Sequence, residues 1–335
     1  MKAIFFQAGK ALDDPQAAVL REIETPQPTG RDVLVKIEAV ALNPVDTKVR
    51  PDAGEDDAVL GYDAAGAVTA IGEDVKFLAI GDKVYYAGDI KRPGTNAEFQ
   101  LVDERIVGNR PENLTVADAA ALPLTALTAW EALFNRLMID SGGKDSGRTL
   151  LIIGGAGGVG SIAIQLAKWA GIRVIATASR EESSAWCRDL GADDVVNHHN
   201  PLRTQIEKLG LDNVDFIANF HDTAQYWETM GDLIAPQGRV VLIVESSENL
   251  PLGGAYKSKS VSISWEFMFT RSMFATADQE KQRGILNEIA KLIDAGVLRT
   301  TSNGSAGKIS AENILAAHKA IESKRTVGKI VLAGW

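Results

Sequence analysis

The spacing of apolar positions changes twice along the chain. From residue 1 to about 124 they fall in short β-like runs broken by Gly and Pro, as at 1–7, 33–40 and 67–72. Such spacing predicts a compact, barrel-like β domain. From 125 to about 266, apolar runs of four to six residues alternate with amphipathic stretches. The predicted strands cover 150–153, 174–177, 194–197, 216–219, 240–244 and 260–265, with helices between them that include 158–170 and 181–190. This alternation predicts a parallel, doubly wound sheet of βαβ units.

The last zone carries helical periodicity near 278–295 and 311–322 and ends on a strand-like run at 327–332. A single terminal strand needs partners elsewhere, so it is expected to return to the first β domain. The doubly wound unit, 125–266, is then an insertion into a domain formed by 1–124 and 267–335. No internal repeat or low-complexity tract interrupts this scheme.

One loop carries recognisable chemistry. The apolar run ending at Ile153 enters Gly154-Gly155-Ala156-Gly157-Gly158-Val159-Gly160, and an amphipathic helix follows. Gly155, Gly157 and Gly160 match G-x-G-x-x-G, the turn that lets backbone approach a pyrophosphate at a helix N-terminus. The flanking strand, helix and second strand are the context that a dinucleotide site requires. Gly155 to Gly160 are therefore cofactor-binding candidates in a Rossmann-type unit. The second strand ends in Ala178-Ser179-Arg180. An NAD site usually has a carboxylate there for the ribose hydroxyls, whereas Ser179 and Arg180 offer a hydroxyl and a guanidinium to a 2′-phosphate, which favours NADPH. The plainer reading makes Ser179 a helix N-cap with Glu182 closing a capping box.

Composition narrows the class. The 335 residues exceed what one hydrophobic core usually spans, and 45% apolar with 24% charged residues is ordinary for a globular protein. A net charge of −9 argues against nucleic acid as the main partner. The first residues lack the features of a secretory signal and the apolar runs fall short of a membrane span, so a cytoplasmic protein is expected. Cys187 is the single cysteine, which rules out an internal disulfide and a thiolate metal cluster. His198, His199, His221 and His318 show no zinc spacing. None of Tyr62, Tyr85, Tyr86, Tyr226 and Tyr256 has Lys four residues on, as a short-chain reductase would.

Further segments carry a resemblance: Asn43-Pro44-Val45-Asp46, Gly61-Tyr62-Asp63-Ala64-Ala65-Gly66, Gly81-Asp82-Lys83-Val84, the run from Ala119 to Trp130, and Gly328-Lys329-Ile330-Val331-Leu332. In this order the chain resembles the medium-chain dehydrogenase/reductase superfamily over essentially its whole length, most nearly the quinone oxidoreductase (zeta-crystallin-like) branch. Phe267-Met268-Phe269-Thr270-Arg271-Ser272-Met273-Phe274 resembles the "zinc-type alcohol dehydrogenase-like" proteins within it. The resemblance implies an α/β fold, a Rossmann doubly wound parallel sheet inserted into a GroES-like β-barrel domain.

Zinc-dependent relatives place a ligand Cys where this chain has Asn43, and Gly-His-Glu where it has Gly61-Tyr62-Asp63. They also carry a four-cysteine structural lobe for which this chain has no cysteines. No metal is therefore expected, and without a Lewis acid the chemistry suits an already electrophilic acceptor, a quinone or an α,β-unsaturated carbonyl. The expected reaction is hydride transfer from NADPH and then protonation, in the cleft between the domains. Asn43 is a candidate contact for the substrate carbonyl or the nicotinamide ribose, or a turn residue before Pro44. Tyr62 is read either as a proton donor to a developing enolate or as an aromatic pocket wall. Asp46 is read as a cap or as a partner of Lys48 or Arg50.

By position, the resemblance also implies cofactor contacts at Thr128, His198, Phe220, His221 and Val244. Their plainer readings are core packing for Phe220 and Val244 and a hydroxyl bonded to its own helix for Thr128. It further implies a homodimer through the Rossmann edge strand near 260–265, which would hide an exposed sheet edge. Three other readings remain: an NADPH-binding sensor without turnover, an enoyl-thioester reductase, and a zinc alcohol dehydrogenase. No basic cluster for a phosphopantetheine arm is visible.

Overall fold

The structure, a computed structural model, describes residues 1–52 and 54–335. It divides into two compact units, Met1–Leu127 with Phe269–Trp335, and Thr128–Met268.

The second unit is built on one six-stranded parallel sheet. Its strands are Thr149–Ile153, Arg173–Thr177, Asp194–Val196, Val214–Asn219, Ile234–Leu242 and Ser262–Trp265. The first three run outward from Thr149–Ile153 to one edge, and the last three run from Val214–Asn219 to the other. The order therefore reverses between Thr149–Ile153 and Val214–Asn219, where Phe216 pairs with Leu150 and Asn219 with Ile153. Every residue of Thr149–Ile153 is buried, which is why the sequence there reads as a continuous apolar run rather than an alternation. Leu151, Ile175, Ile217 and Val240 from the strands pack with Trp227 and Met230 of the helix Thr223–Leu233. The expected strand at 240–244 ends at Leu242, so Val244 lies in the loop beyond it. Ser260 has φ 53°, and the edge strand starts only at Ser262.

In the first unit the strand Asp32–Leu42 is the organiser. One side pairs with Ala64–Ile71; the other is shared, by Phe99–Asp103 along its first half and by the closing strand Lys329–Ala333 along its second. Ile330 opposite Leu42 and Ala333 opposite Ala39 show that the C-terminal segment returns to the N-terminal β structure. Among the described residues the pairings of this β domain follow a path from Ser302–Ser305 to Val107–Asn109, beside a two-stranded sheet of Lys2–Phe6 and Ala18–Glu22, in keeping with the expected α/β fold. The core gathers Ile4, Phe6, Val35, Ile37, Tyr86 and Leu332. The helices expected at 278–295 and 311–322 are Lys281–Asp294 and Ala311–Glu322. No described helix is long and apolar enough to cross a membrane.

Candidate active site and cofactor cradle

The strand Thr149–Ile153 delivers the glycine loop to the carboxyl edge of the sheet, at the point where strand order reverses. In open α/β sheets this is where ligands bind. Two hydrogen bonds tie the loop to the next strand: Gly154 N–H donates to Thr177 Oγ1 (3.0 Å) and Gly155 N–H to the Thr177 carbonyl (3.2 Å). A Cβ on Gly160 would lie 2.3 Å from the Gly154 oxygen, and one on Gly155 would lie 2.8 Å from Ala176 Cβ, so both positions require glycine. The helix Gly158–Trp169 has Gly157 as its N-cap, with no side chain to bond the first turn. Ala156 and Val159 complete the turn, and the N–H groups of that turn are left for an anion. These residues fit a dinucleotide pyrophosphate.

Because all six strands run in parallel, residues just past their C-termini share one edge. Phe220 and His221 border the loop: a Cβ on Gly154 would lie 3.6 Å from the Phe220 carbonyl and 3.7 Å from His221 Cβ. The Val244 carbonyl accepts from Thr223 Oγ1 at 2.5 Å, which fastens it to the start of the neighbouring helix. His198 stacks edge-on against His199, with ring centroids 4.6 Å apart. Burial first, then the charges of His199 and His221, hold its pKa below the usual histidine value. Thr128 is buried in the helix Pro123–Trp130.

Ser179 and Arg180 follow Thr177 at the same edge. The capping box expected for Ser179 and Glu182 is displaced by one residue. Arg180 is the N-cap of the helix Glu181–Asp189; its N–H donates to Ser183 Oγ (3.2 Å), and that hydroxyl donates to the Arg180 carbonyl (3.0 Å). Ser179 is thus released from the capping role. The Arg180 guanidinium stands 3.9 Å from Glu182, and its side chain is partly exposed.

In the first unit, Asn43, Asp63 and Lys329 meet in a buried cluster. Asn43 Nδ2 donates to Asp63 Oδ2 at 2.8 Å. The Lys329 ammonium donates to Asn43 Oδ1 (2.5 Å), Asp63 Oδ2 (2.9 Å) and the Leu42 carbonyl (2.9 Å). Asp63 Oδ1 accepts from Leu124 N–H at 2.7 Å. Burial pushes the Asp63 carboxyl toward holding a proton, but every group aimed at it is a donor, which suits a carboxylate. Both ends of the Asn43 amide are engaged by this cluster. Sequence reasoning quoted Asp63 and Lys329 without giving either a role. The available signal was a lysine in an otherwise apolar closing strand.

Asp46 pairs with neither Lys48 nor Arg50. Its Oδ2 accepts from Asn43 N–H at 2.5 Å and so closes the first turn of the helix Pro44–Lys48, while Arg50 pairs with Glu322. Burial raises its pKa to about 7, opposed by the Asn43 bond and by Lys329. Tyr62 packs edge-on to Phe269, with ring centroids 5.2 Å apart, and its hydroxyl has no hydrogen-bond partner among the described residues. Burial, then the charges of Asp46 and Asp89, push its pKa up to about 12, so it remains a neutral phenol at physiological pH.

The donors around Asn43 do not fit a zinc ion. Two of the oxygens that a metal would use already surround an ammonium, and no histidine or thiolate joins them. Cys187 lies in the helix Glu181–Asp189 of the other unit, where burial pushes its thiol up to about 11. Among the described residues no three His, Cys, Asp or Glu are placed to hold a metal.

With this geometry, the comparisons with known proteins fall into place. Residues 29–112 match the alcohol dehydrogenase GroES-like domain and residues 158–282 match the zinc-binding dehydrogenase family. A zinc-type alcohol dehydrogenase-like protein of Staphylococcus aureus is 41% identical over 99% of both chains. The chain belongs to the medium-chain dehydrogenase/reductase superfamily. Within the superfamily it is similar to a solved Rhizobium etli protein described as a candidate zinc-dependent alcohol dehydrogenase, with 46% identity, a TM-score of 0.94, and coverage of 100% of this chain and 98% of that one. It is also similar to the 2-methylene-furan-3-one reductase of Solanum lycopersicum, 32% identical over 90% of this chain and 71% of that one. As a member of this superfamily the protein is an oxidoreductase that works with a nicotinamide cofactor.

Proposed function

We propose that the protein is a zinc-independent, NADPH-dependent reductase of quinones or other α,β-unsaturated carbonyls. The observation that carries this reading is the Lys329 ammonium held by Asn43 and Asp63, where zinc-dependent relatives place metal ligands. With the donor set spent on an internal cation, no Lewis acid is available to polarise an ordinary ketone or ionise an alcohol. A conjugated acceptor needs less help, because its carbonyl already draws electron density from the carbon that receives the hydride. The tomato relative's name describes such an acceptor, a ketone conjugated to an exocyclic methylene.

In this reading Gly155 to Gly160 hold the pyrophosphate on the helix N-terminus, and Ser179 with Arg180 takes the 2′-phosphate. Thr128, His198, Phe220, His221 and Val244 line the rest of the dinucleotide path. The chemistry that NADPH supplies when bound is a hydride. Tyr62, a neutral phenol without a partner among the described residues, donates its hydrogen bond to the acceptor oxygen and steadies the negative charge that develops there. Asn43 acts at one remove, by fixing Asp63 and Lys329 beside the Tyr62 backbone. A second copy of the chain is the proposed partner, paired along the edge strand Ser262–Trp265; a cytoplasmic location accompanies this reading.

The experiment is turnover of NADPH, with NADH in parallel, against a benzoquinone, an alkenal, a crotonyl thioester and a simple aldehyde. Reduction of the quinone or alkenal with NADPH preferred supports the proposal. Binding of NADPH without turnover of any acceptor would favour a sensor, and turnover of the aldehyde alone would return the protein to metal-type chemistry.

A further inference from the structure

The carboxyl edge of the dinucleotide unit holds a second buried ionisable cluster that the proposed reaction leaves unused. Glu131 and Glu266 are 1% and 2% exposed, and the same arginine, Arg136, stands against both. Two buried carboxyl groups beside a single guanidinium balance their charge only if one of them carries a proton. Arg136 Nε donates to Glu266 Oε2 at 2.8 Å, and its guanidinium stands 3.9 Å from Glu131 Oε2. One arginine, one carboxylate and one protonated carboxyl make a neutral set, the form in which such groups are least costly to bury.

The cluster joins two segments. Glu131 and Arg136 begin and end a π-helical turn that continues the helix Pro123–Trp130, which carries Thr128. That wide turn closes with Leu137 N–H on the Ala132 carbonyl (2.9 Å), and Arg239, from the strand Ile234–Leu242, grips the Leu137 carbonyl at 2.8 Å. Isolated π turns are uncommon and concentrate at functional sites. Glu266 follows the edge strand, and its N–H bonds the Leu242 carbonyl at 2.9 Å, two residues before Val244.

We propose that Glu131, Glu266 and Arg136 form a positioning cluster for the cofactor, in which Arg136, facing both buried carboxyl groups, holds the Thr128 helix to the strand ends that carry Val244. The proposal rests on the reading of Thr128 and Val244 as dinucleotide contacts. The charged groups that bear on Glu266 among the described residues are Glu131 and Arg136. Burial first, then the Glu131 charge, lifts the Glu266 carboxyl well above the usual range, while Arg136 pulls it down. Loss of the one proton that balances the set leaves two carboxylates facing one arginine in a low-dielectric pocket, where their repulsion pushes the two segments apart.

The test is NADPH affinity of the full chain from about pH 6 to about pH 10, with thermal unfolding of the cofactor-free protein measured across the same range. The wild type is expected to hold NADPH evenly on the acid side and to weaken on the alkaline side by up to about tenfold per pH unit. Glu266→Gln, which keeps a neutral hydrogen-bonding group, is expected to stay within about threefold of wild-type affinity at neutral pH and to flatten the alkaline fall in affinity and melting temperature. Glu131→Gln gives the same reading if Glu266→Gln does not fold. A wild-type profile flat to the alkaline limit, or a fall of equal size in the folded glutamine variant, overturns the proposal. Absence of NADPH binding at neutral pH would instead remove the cofactor reading beneath it.

Discussion

Lys329 lies on the closing strand with its ammonium spent on one carboxylate, one amide oxygen and one carbonyl. Removing the charge strands Asp63 in a buried pocket, so Lys329→Met is expected to cost about 3–5 kcal/mol in urea unfolding. A loss below about 1 kcal/mol would show that the pair contributes little. Tyr62 makes a different demand, since its hydroxyl holds nothing among the described residues. Tyr62→Phe should leave NADPH affinity unchanged and lower kcat on an enone by about a hundredfold or more, as expected for loss of a hydrogen-bond donor to developing charge. An unchanged kcat would make the ring an aromatic wall and nothing else. His318 is fully buried against Phe6, and neither ring nitrogen has a hydrogen-bond partner among the described residues. Burial, then the charge of Arg50, depresses its pKa to about 3. The unfolded chain takes up that proton near pH 6.5, about the free histidine value, and the folded chain does not. The histidine's cost is therefore absent above that pH and grows as pH falls toward about 3, by up to about 1.4 kcal/mol per pH unit. His318→Leu should remove this part of the acid slope; equal slopes in denaturant titrations of the two proteins would refute it.

At the scale of elements, the glycine loop was legible because its chemistry is local: a strand, a turn that only glycine can make and a helix start, all within consecutive residues. The loop's anchor was not legible, because Thr177 Oγ1 reaches Gly154 only once two strands lie side by side. The Arg180 cap was missed for a related reason, since Ser179 has the better capping side chain but Ser183 forms the reciprocal bonds one residue along. That displacement sharpens the cofactor prediction. Arg180→Asp is expected to weaken NADPH by tenfold or more while leaving NADH within about threefold, measured as separate dissociation constants. Equal losses for both would show that Arg180 supports the helix rather than the 2′-phosphate. Glu131 and Glu266 were invisible in the sequence, where 135 positions separate them, and no local pattern marks a π turn.

For the whole molecule, the order of apolar runs foretold the parallel sheet and the return of the closing strand, because buried strands flanked by helices leave a periodicity that survives in one dimension. How Phe99–Asp103 and Lys329–Ala333 divide one side of Asp32–Leu42 was not legible, because the two partners come from distant parts of the chain. Among the described residues the edge strand Ser262–Trp265 pairs on one side only, and Trp265 is half exposed. We expect a second copy to cover it, so light scattering at micromolar concentration should give twice the chain mass; a monomer would refute this. The central claim is reduction without a metal. It is tested most directly by the rate of alkenal or quinone reduction by NADPH before and after exhaustive chelation, with bound metal quantified in the same sample. The account predicts an unchanged rate and no stoichiometric zinc. A rate that collapses on chelation and returns with one zinc per chain would contradict it.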